Sequence, residues 1–253
     1  MSRATGDPAQ GAGPAGRDGG LATPGPDGPG RRALVVRGGW EGHAPVETTE
    51  LFRPDLVDAG FEVTVAEDLD VYLDQDLLAR TDLVVQCWTQ GTLTAEQSAG
   101  LVAAVHAGTG FAGWHGGVLA TFPTSPDYLR MVGGTFLFHP EEFVEYEVVV
   151  EPDGADHQIM SGIGDFTIAT EQYWMLTDAH NQVLASTVFA PADGGHGGPP
   201  VPMPVVWTRT WGAGRVFVSA LGHRLADLRQ PAVRTLTRRG LVWASRATDP
   251  TTR

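Results

Sequence analysis

A histidine flanked by glycines is the residue of this chain that most directly suggests chemistry. His115 follows the apolar run Gly110-Phe111-Ala112-Gly113-Trp114 and precedes Gly116-Gly117. The pattern predicts a buried strand that runs into a tight turn and a helix, the arrangement that holds the nucleophile of α/β hydrolases. Because the central residue is a histidine, and neither a serine nor a cysteine, we expect an imidazole that points away from the core and acts as a base, an acid or a metal ligand. The alternative is a core histidine beside a tight turn.

Further ionisable side chains lie after predicted strands, where doubly wound sheets form their sites. His43 follows the first strand, His223 follows a late one, and His139 and Glu171 lie in later connections. We expect His43, His115, His139 and His223 to surround one cavity with Glu171 at its rim. Imidazoles beside a carboxylate suit a divalent metal such as Zn²⁺, for which the four histidines are the candidate ligands. The same groups also suit metal-free acid–base catalysis by His115, Glu171 and His43, and for Glu171 a surface or helix-capping role is the alternative.

Composition excludes several classes of function. The chain has 253 residues and a formal net charge of -13, which argues against binding to nucleic acid or to anionic membranes. All of its basic residues are arginines, so Schiff-base lysines and phosphate-loop lysines are excluded. The single cysteine, Cys87, cannot form an internal disulfide, which favours a reducing compartment such as the cytoplasm. No base lies at a recognisable spacing from Cys87, so we expect no hydrolysis of glutamine and no sensitivity to alkylating reagents.

The elements that must position these residues alternate in type along the first half of the chain. Strands are predicted at 33–36, 61–65, 83–86 and 110–114, with helices at 46–59 and from a Thr94-Gln97 capping box to residue 107. Further strands are predicted at 143–150, 183–189, 205–209 and 215–221, an exposed loop at 192–204, and a final helix at 230–245. Residues 1–30, rich in glycine, proline and alanine, are expected to form a disordered tail.

Motifs along the chain resemble those of the trehalose-utilisation ThuA-like proteins, within the class I glutamine amidotransferase-like superfamily. The resemblance covers residues 33–245. It rests on Leu93-Thr94-x-Glu96-Gln97, Gly113-Trp114-His115-Gly116-Gly117, Gly133-Gly134-x-Phe136-x-x-His139-Pro140, His157-x-Ile159, Glu171-Gln172-Tyr173, Pro204-Val205-Val206-Trp207, Gly214-Arg215-Val216-Phe217 and Leu221-Gly222-His223. Two stretches depart from the family pattern, Glu171-Gln172-Tyr173 and Gln86-Cys87-Trp88, and they leave the exact substrate open.

The resemblance implies a three-layer, flavodoxin-like α/β fold with a mainly parallel sheet and additional strands in the second half. It assigns residues 31–247 to one domain and residues 248–253 to a C-terminal tail. It also implies that His115 replaces the amidotransferase cysteine, and that the chain acts on a disaccharide or keto-sugar without amidotransferase activity. A non-catalytic sugar-binding or interaction protein is the alternative, and a homo-oligomeric state is left open. Candidate substrate-binding residues are Trp40, Trp88, Tyr173, His139 and His223, because aromatic and polar side chains bind sugar hydroxyls, together with Gly116 in the turn after His115.

Overall fold

The computed structural model describes residues 30–140, 143–191 and 197–247. Its strands are β1 (Arg31–Gly39), β2 (Phe61–Ala66), β3 (Leu83–Thr89), β4 (Gly110–Trp114), β5 (Gly134–Phe138), β6 (Val144–Val150), β7 (Phe166–Thr170), β8 (Trp174–Thr177), β9 (Gln182–Phe189), β10 (Val201–Trp211) and β11 (Gly214–Ser219). Its helices are α1 (Pro45–Asp58), α2 (Gln75–Arg80), α3 (Ala95–His106), α4 (Gly116–Leu119), α5 (Pro126–Val132), α6 (Pro152–Ala155), α7 (Leu225–Arg229) and α8 (Pro231–Ala244), with 3₁₀ turns at Glu41–His43 and Leu69–Leu73. Both predicted tails lie outside the described residues, apart from Gly30.

A large mixed sheet organises the described residues, in the strand order β2-β1-β3-β4-β11-β10-β9-β6-β7. The strands from β2 to β11 in this order are parallel to their neighbours, and the pairs from β10 onward are antiparallel. Because β4 and β11 are adjacent and parallel, their carboxyl ends open at the same edge of the sheet. The carboxyl ends of β1 and β3 lie at the same edge, because both strands are parallel to β4.

The central strands are buried on both faces, which explains their continuous apolar runs. All five residues of β4 are buried, as are residues 33–36 of β1. Helices α1, α7 and α8 pack together on one side, and α2, α3 and α5 on the other. The result is the three-layer, flavodoxin-like α/β fold that the family resemblance implies. Among the described residues, no helix combines the length and the apolar character needed to cross a membrane.

The strand–helix alternation of the first half is confirmed, and the differences concentrate in the second half. The capping box at α3 is present, with Thr94 Oγ1 accepting from Gln97 N at 3.1 Å and Gln97 Oε1 accepting from Thr94 N at 2.8 Å. Strand β7 and the small antiparallel pair β5-β8 were not predicted, because each is short and shows only part of an alternating apolar pattern.

The exposed loop predicted at 192–204 is wrong for its last four residues, which belong to β10. Residues 192–196 lie outside the described residues. Pro202 and Pro204 suggested a loop, yet here β10 pairs with β9 alone, and its pairing with β11 begins only at Val206. A proline lacks an N–H, so it is tolerated where one side of a strand has no neighbour.

A buried polar network beneath the β4–α4 turn gives a first prediction. Gln86 Oε1 accepts from Tyr72 Oη at 2.9 Å, and Gln86 Nε2 donates to Tyr128 Oη at 2.6 Å and to Gly117 O at 3.3 Å. Replacing Gln86 with leucine removes the hydrogen-bond partner of the Tyr72 hydroxyl and of the Gly117 carbonyl, both of which are buried. We expect the free energy of unfolding in urea to fall by about 2 kcal/mol or more. Gln158→Leu, at an exposed turn position, is the control and should change it by less than about 0.5 kcal/mol. Equal effects of the two variants would contradict this account.

Candidate functional site

The turn after β4 has the strained backbone that the glycine-flanked histidine predicts. His115 adopts φ 48° and ψ −140°, a conformation that residues other than glycine rarely occupy. Its N–H donates to Ser219 O at 2.6 Å on the neighbouring strand β11, which holds the turn in place. The expectation that the side chain points away from the core needs correction, because His115 is only 1% exposed. It lies beneath other side chains at the carboxyl edge of the sheet.

Three histidines and one glutamate converge above this edge. One nitrogen or carboxylate oxygen from each of His43, His115, Glu171 and His223 lies within 4.8 Å of the others, and all four residues are buried. The ring centroid of His43 lies 4.8 Å from that of His115 and 4.9 Å from that of His223. The topological argument accounts for this convergence, since β1, β4 and β11 are parallel and deliver the residues that follow them to one edge. We call these four residues the histidine–glutamate cluster.

Glu171 lies at the centre of this cluster, whereas the sequence predicted it at the rim of the cavity. Its Oε2 is 2.9 Å from His115 Nε2 and 3.1 Å from His223 Nδ1, and its Oε1 is 3.4 Å from His139 Nε2. The residue connects β7 and β8, two strands that sequence reasoning missed, so its depth could not be foreseen. His139 contacts Oε1 of Glu171 and stands outside the histidine–glutamate cluster, with 31% of its side chain exposed.

Burial governs the protonation of the cluster. It lowers the pKa of His43 to about 3, and the neighbouring imidazoles of His115 and His223 act in the same direction. Burial also lowers the pKa of His115, although the contact with Glu171 opposes it. For Glu171, burial alone would raise the pKa, but the contacts with His115 and His223 bring it below the ordinary value. At neutral pH the cluster thus combines the Glu171 carboxylate with neutral imidazoles at His43 and His115.

Hydrogen bonds outside the cluster orient two of its rings. His115 Nδ1 lies 2.8 Å from Ala220 O, and His43 Nδ1 lies 2.7 Å from Thr89 Oγ1. In contrast, His223 Nδ1 is buried and, among the described residues, has no hydrogen-bond partner, although Glu171 Oε2 is 3.1 Å away. Sequence reasoning assigned neither Thr89 nor Ala220 a role in the site. Thr89 lies in the stretch after the third predicted strand, where site residues are expected, whereas a backbone carbonyl such as Ala220 O leaves no trace in side-chain types.

Aromatic side chains surround the cluster. Tyr173 stacks on His115 with ring centroids 4.2 Å apart. Burial, as the main cause, and the neighbouring Glu171 carboxylate, as the next, raise the pKa of Tyr173 well above the ordinary value, so its hydroxyl keeps its proton. Trp40, 48% exposed, meets His43 edge-on at 4.8 Å and lies 6.5 Å from His223. Trp88 is partly buried and packs against Gly38, where an added Cβ would come within 2.7 Å of its ring.

The residues present fit a divalent cation. Ligands placed about 2.0–2.1 Å from a tetrahedral Zn²⁺ lie about 3.3 Å from one another. The two separations from Glu171 Oε2, 2.9 Å to His115 Nε2 and 3.1 Å to His223 Nδ1, are close to this value. The unpartnered Nδ1 of His223 and the donor set of three imidazoles and one carboxylate agree with such an ion.

Cys87 lies beside the turn but is not a usable nucleophile. It is buried next to Gly117, and its Sγ lies 3.6 Å from Thr48 Oγ1. Burial raises the pKa of the thiol to about 11, so almost no thiolate exists at neutral pH. We expect iodoacetamide at pH 7.5 to leave the folded protein unmodified and to modify it in urea, as followed by intact mass. Rapid modification of the folded protein, or ammonia release from glutamine that Cys87→Ser abolishes, would contradict this expectation.

Comparisons with known proteins agree with this fold. Residues 32–244 match the model of the family described as ThuA, trehalose utilisation. No curated protein matches the chain. A ThuA-like protein from Bacteroides uniformis ATCC 8492 has a similar structure, with a TM-score of 0.71, 17% identity, and coverage of 92% of this chain and 100% of that one.

Two further solved structures share the fold. A ThuA-like protein from Parabacteroides merdae ATCC 43184 has a TM-score of 0.67 and 18% identity over 86% of this chain and 90% of that one. A cytoplasmic protein from Salmonella typhimurium LT2 has a TM-score of 0.57 and 12% identity over 85% of this chain and 100% of that one. The family match covers most of the sequence and includes every residue of the histidine–glutamate cluster, and the chain therefore belongs to the ThuA family, described as trehalose utilisation.

Proposed function

We propose that this protein is an enzyme that acts on a disaccharide or keto-sugar, and that its histidine–glutamate cluster holds a divalent cation such as Zn²⁺. The substrate class is supported by the family, whose description is trehalose utilisation. The chemistry is supported by the convergence of three histidines on one buried carboxylate. Dispersed histidines in an aromatic and polar pocket would instead favour a binding module.

The observation that carries the proposal is the surroundings of the His115 ring. A neutral imidazole has one N–H donor, yet both of its neighbours, Ala220 O and Glu171 Oε2, can only accept hydrogen bonds. If Nδ1 donates to Ala220 O, the lone pair of Nε2 faces the carboxylate oxygen at 2.9 Å. Two electron pairs at this distance repel each other unless a cation lies between them. The orphaned Nδ1 of His223 faces the same oxygen at 3.1 Å.

A proton on His115 could also resolve this contact, and it gives the second candidate function. The imidazolium would then form a buried ion pair with Glu171, and the two side chains would exchange a proton with a sugar hydroxyl. Burial of His115 opposes the charged ring, which is why we favour the cation.

The side chains around the cluster would bind the sugar. A bound divalent cation polarises a carbonyl group or lowers the pKa of a bound water. The indole of Trp40, half exposed beside His43, offers an apolar face for a pyranose ring. His139, 31% exposed and 3.4 Å from Glu171 Oε1, and the Tyr173 hydroxyl, which lies beside the Glu171 carboxylate, can donate hydrogen bonds to sugar hydroxyls. We assign Trp88 and Gly116 a supporting role, because each packs against neighbouring residues. A cytoplasmic location belongs to the same proposal and is supported by the single cysteine.

Metal binding is the direct test. The protein is dialysed against a chelator and then titrated with Zn²⁺ by calorimetry, and bound zinc is counted by mass spectrometry. We expect one zinc per chain, and turnover of trehalose or its keto derivative that is lost on chelation and returns with zinc. If the protein binds no zinc and ¹⁵N spectra show a doubly protonated His115, the proposed cation site is wrong and the acid–base function is the remaining candidate. Sugar binding without turnover would favour the non-catalytic alternative.

A further inference from the structure

One carboxylate outside the cluster joins the two loops that supply Glu171 and His223. Asp227 Oδ2 accepts a hydrogen bond from Thr170 Oγ1 at 2.6 Å and another from Arg224 N at 3.0 Å. Thr170 directly precedes Glu171, and Arg224 directly follows His223. The carboxylate of Asp227 therefore ties the residue before one cluster member to the residue after another.

The Arg224 side chain makes the connection a second time. Its Nε and Nη2 donate to Asp227 Oδ1 at 3.2 and 2.9 Å, and Nη2 also donates to Ala169 O at 2.7 Å. The guanidinium carbon lies 3.9 Å from the centroid of the Phe143 ring, which in turn meets the His223 ring at 5.3 Å. The Arg224 side chain thus contacts the backbone two residues before Glu171, and it also packs on the Phe143 ring that contacts His223.

The hydrogen bond between Thr170 and Asp227 is shielded from water. Thr170 is fully buried and Asp227 is 5% exposed. Hydrogen bonds to a buried carboxylate are strong, and breaking one leaves a buried charged group with an unsatisfied hydrogen-bonding atom. The connection therefore restricts how far the Glu171 loop can move from the His223 loop, whose side chains approach to 3.1 Å.

We propose that Asp227 is a positioning residue that fixes Glu171 relative to His223 through Thr170 and Arg224. This inference rests on the proposed function, in which both side chains hold the cation. Asp227 lies outside the histidine–glutamate cluster, and it acts by keeping two ligand atoms at the separation that the ion would require. Such outer partners typically change metal affinity by about 10- to 100-fold.

A purely structural role makes a different prediction. Asp227 also accepts from the backbone N–H of Arg224 at the start of α7, so its removal would destabilise that helix in any case. Thr170 lies on β7, outside α7, and its hydroxyl provides the cleaner test. Thr170→Val removes this hydrogen bond while keeping the shape of the side chain, and Thr170→Ser keeps the hydroxyl. Thr208→Val is the matched control, because Thr208 is a buried strand residue whose hydroxyl donates to Gln182 at 3.4 Å.

The experiment measures zinc affinity by competition with a chelator, and the absorption spectrum of the Co²⁺-loaded protein. We expect Thr170→Val to weaken zinc binding by about 10- to 100-fold and to alter the cobalt spectrum at saturation. Thr170→Ser should restore both, and Thr208→Val should match the wild type in both even if it lowers the melting temperature. If Thr170→Val does not fold, Asp227→Asn replaces it, with the same expected outcomes. A folded variant of either kind with wild-type zinc affinity and cobalt spectrum would overturn the inference.

Failure of the proposed function would be recognised separately. If the wild-type protein binds neither Zn²⁺ nor Co²⁺, the proposal that the histidine–glutamate cluster holds a cation is wrong. The positioning role is then judged in the metal-free protein, from the ¹⁵N chemical shifts of the His223 ring. We expect these shifts to change in Thr170→Val and to stay unchanged in Thr208→Val. Unchanged shifts in both variants would overturn the positioning role as well.

Discussion

Replacing Glu171 with glutamine is expected to abolish sugar turnover and to weaken zinc binding by more than about a hundredfold, beyond the 10- to 100-fold typical of outer partners. The glutamate supplies the only carboxylate of the histidine–glutamate cluster, and its Oε2 contacts two of the three imidazoles. A neutral amide of the same shape removes the charge that attracts the cation. The variant should remain folded, because glutamine retains the volume of the buried side chain.

Zinc titration and thermal melting, measured on the same preparations, check this result. Glu147→Gln, at an exposed position of β6, is the matched control and should bind zinc as the wild type does. His115→Ala should lose zinc binding and turnover in the same way while keeping its cooperative unfolding. Wild-type zinc affinity in Glu171→Gln would exclude the cluster as the metal site. A large loss of stability in His115→Ala with turnover retained by the folded fraction would show that the histidine is structural.

Adding one methyl group at Gly116 is expected to disrupt the site by displacing His43. A Cβ at this position would overlap Cε1 and Nδ1 of the His43 ring. The ring would have to move away from the cluster and from Thr89, whose hydroxyl lies 2.7 Å from Nδ1. We expect Gly116→Ala to lose zinc affinity by more than about tenfold, and to lose about 1–3 kcal/mol of stability through overpacking.

The control for this variant is Gly164→Ala, because a Cβ on Gly164 meets nothing within 4 Å. Zinc affinity and urea unfolding are compared in both variants. The displacement of His43 can be followed directly from the ¹⁵N shifts of its ring. Zinc affinity equal to that of the wild type in Gly116→Ala would show that His43 is not needed for metal binding.

The sequence alone determined the parallel half of the fold and the strand that leads into the His115 turn. Local signals suffice there: fully buried strands read as continuous apolar runs, and the capping box marks the start of α3. Because parallel strands end at one edge, the order of elements also placed His43, His115 and His223 near one another. The chemistry-bearing residues were therefore visible before any contact was known.

Only the tertiary structure decided how these groups are arranged. Glu171 reaches the centre of the cluster because β7 and β8 belong to two different sheets, a placement that long-range strand pairing sets and that the short strands themselves do not signal. The pairing of β5 with β8 likewise places His139 within 3.4 Å of Glu171 Oε1. The acceptor next to His115 is a backbone carbonyl, Ala220 O, which any residue type could supply. Sequence patterns report burial and local geometry, whereas the separation of two ligand atoms depends on the register of strands far apart in the chain.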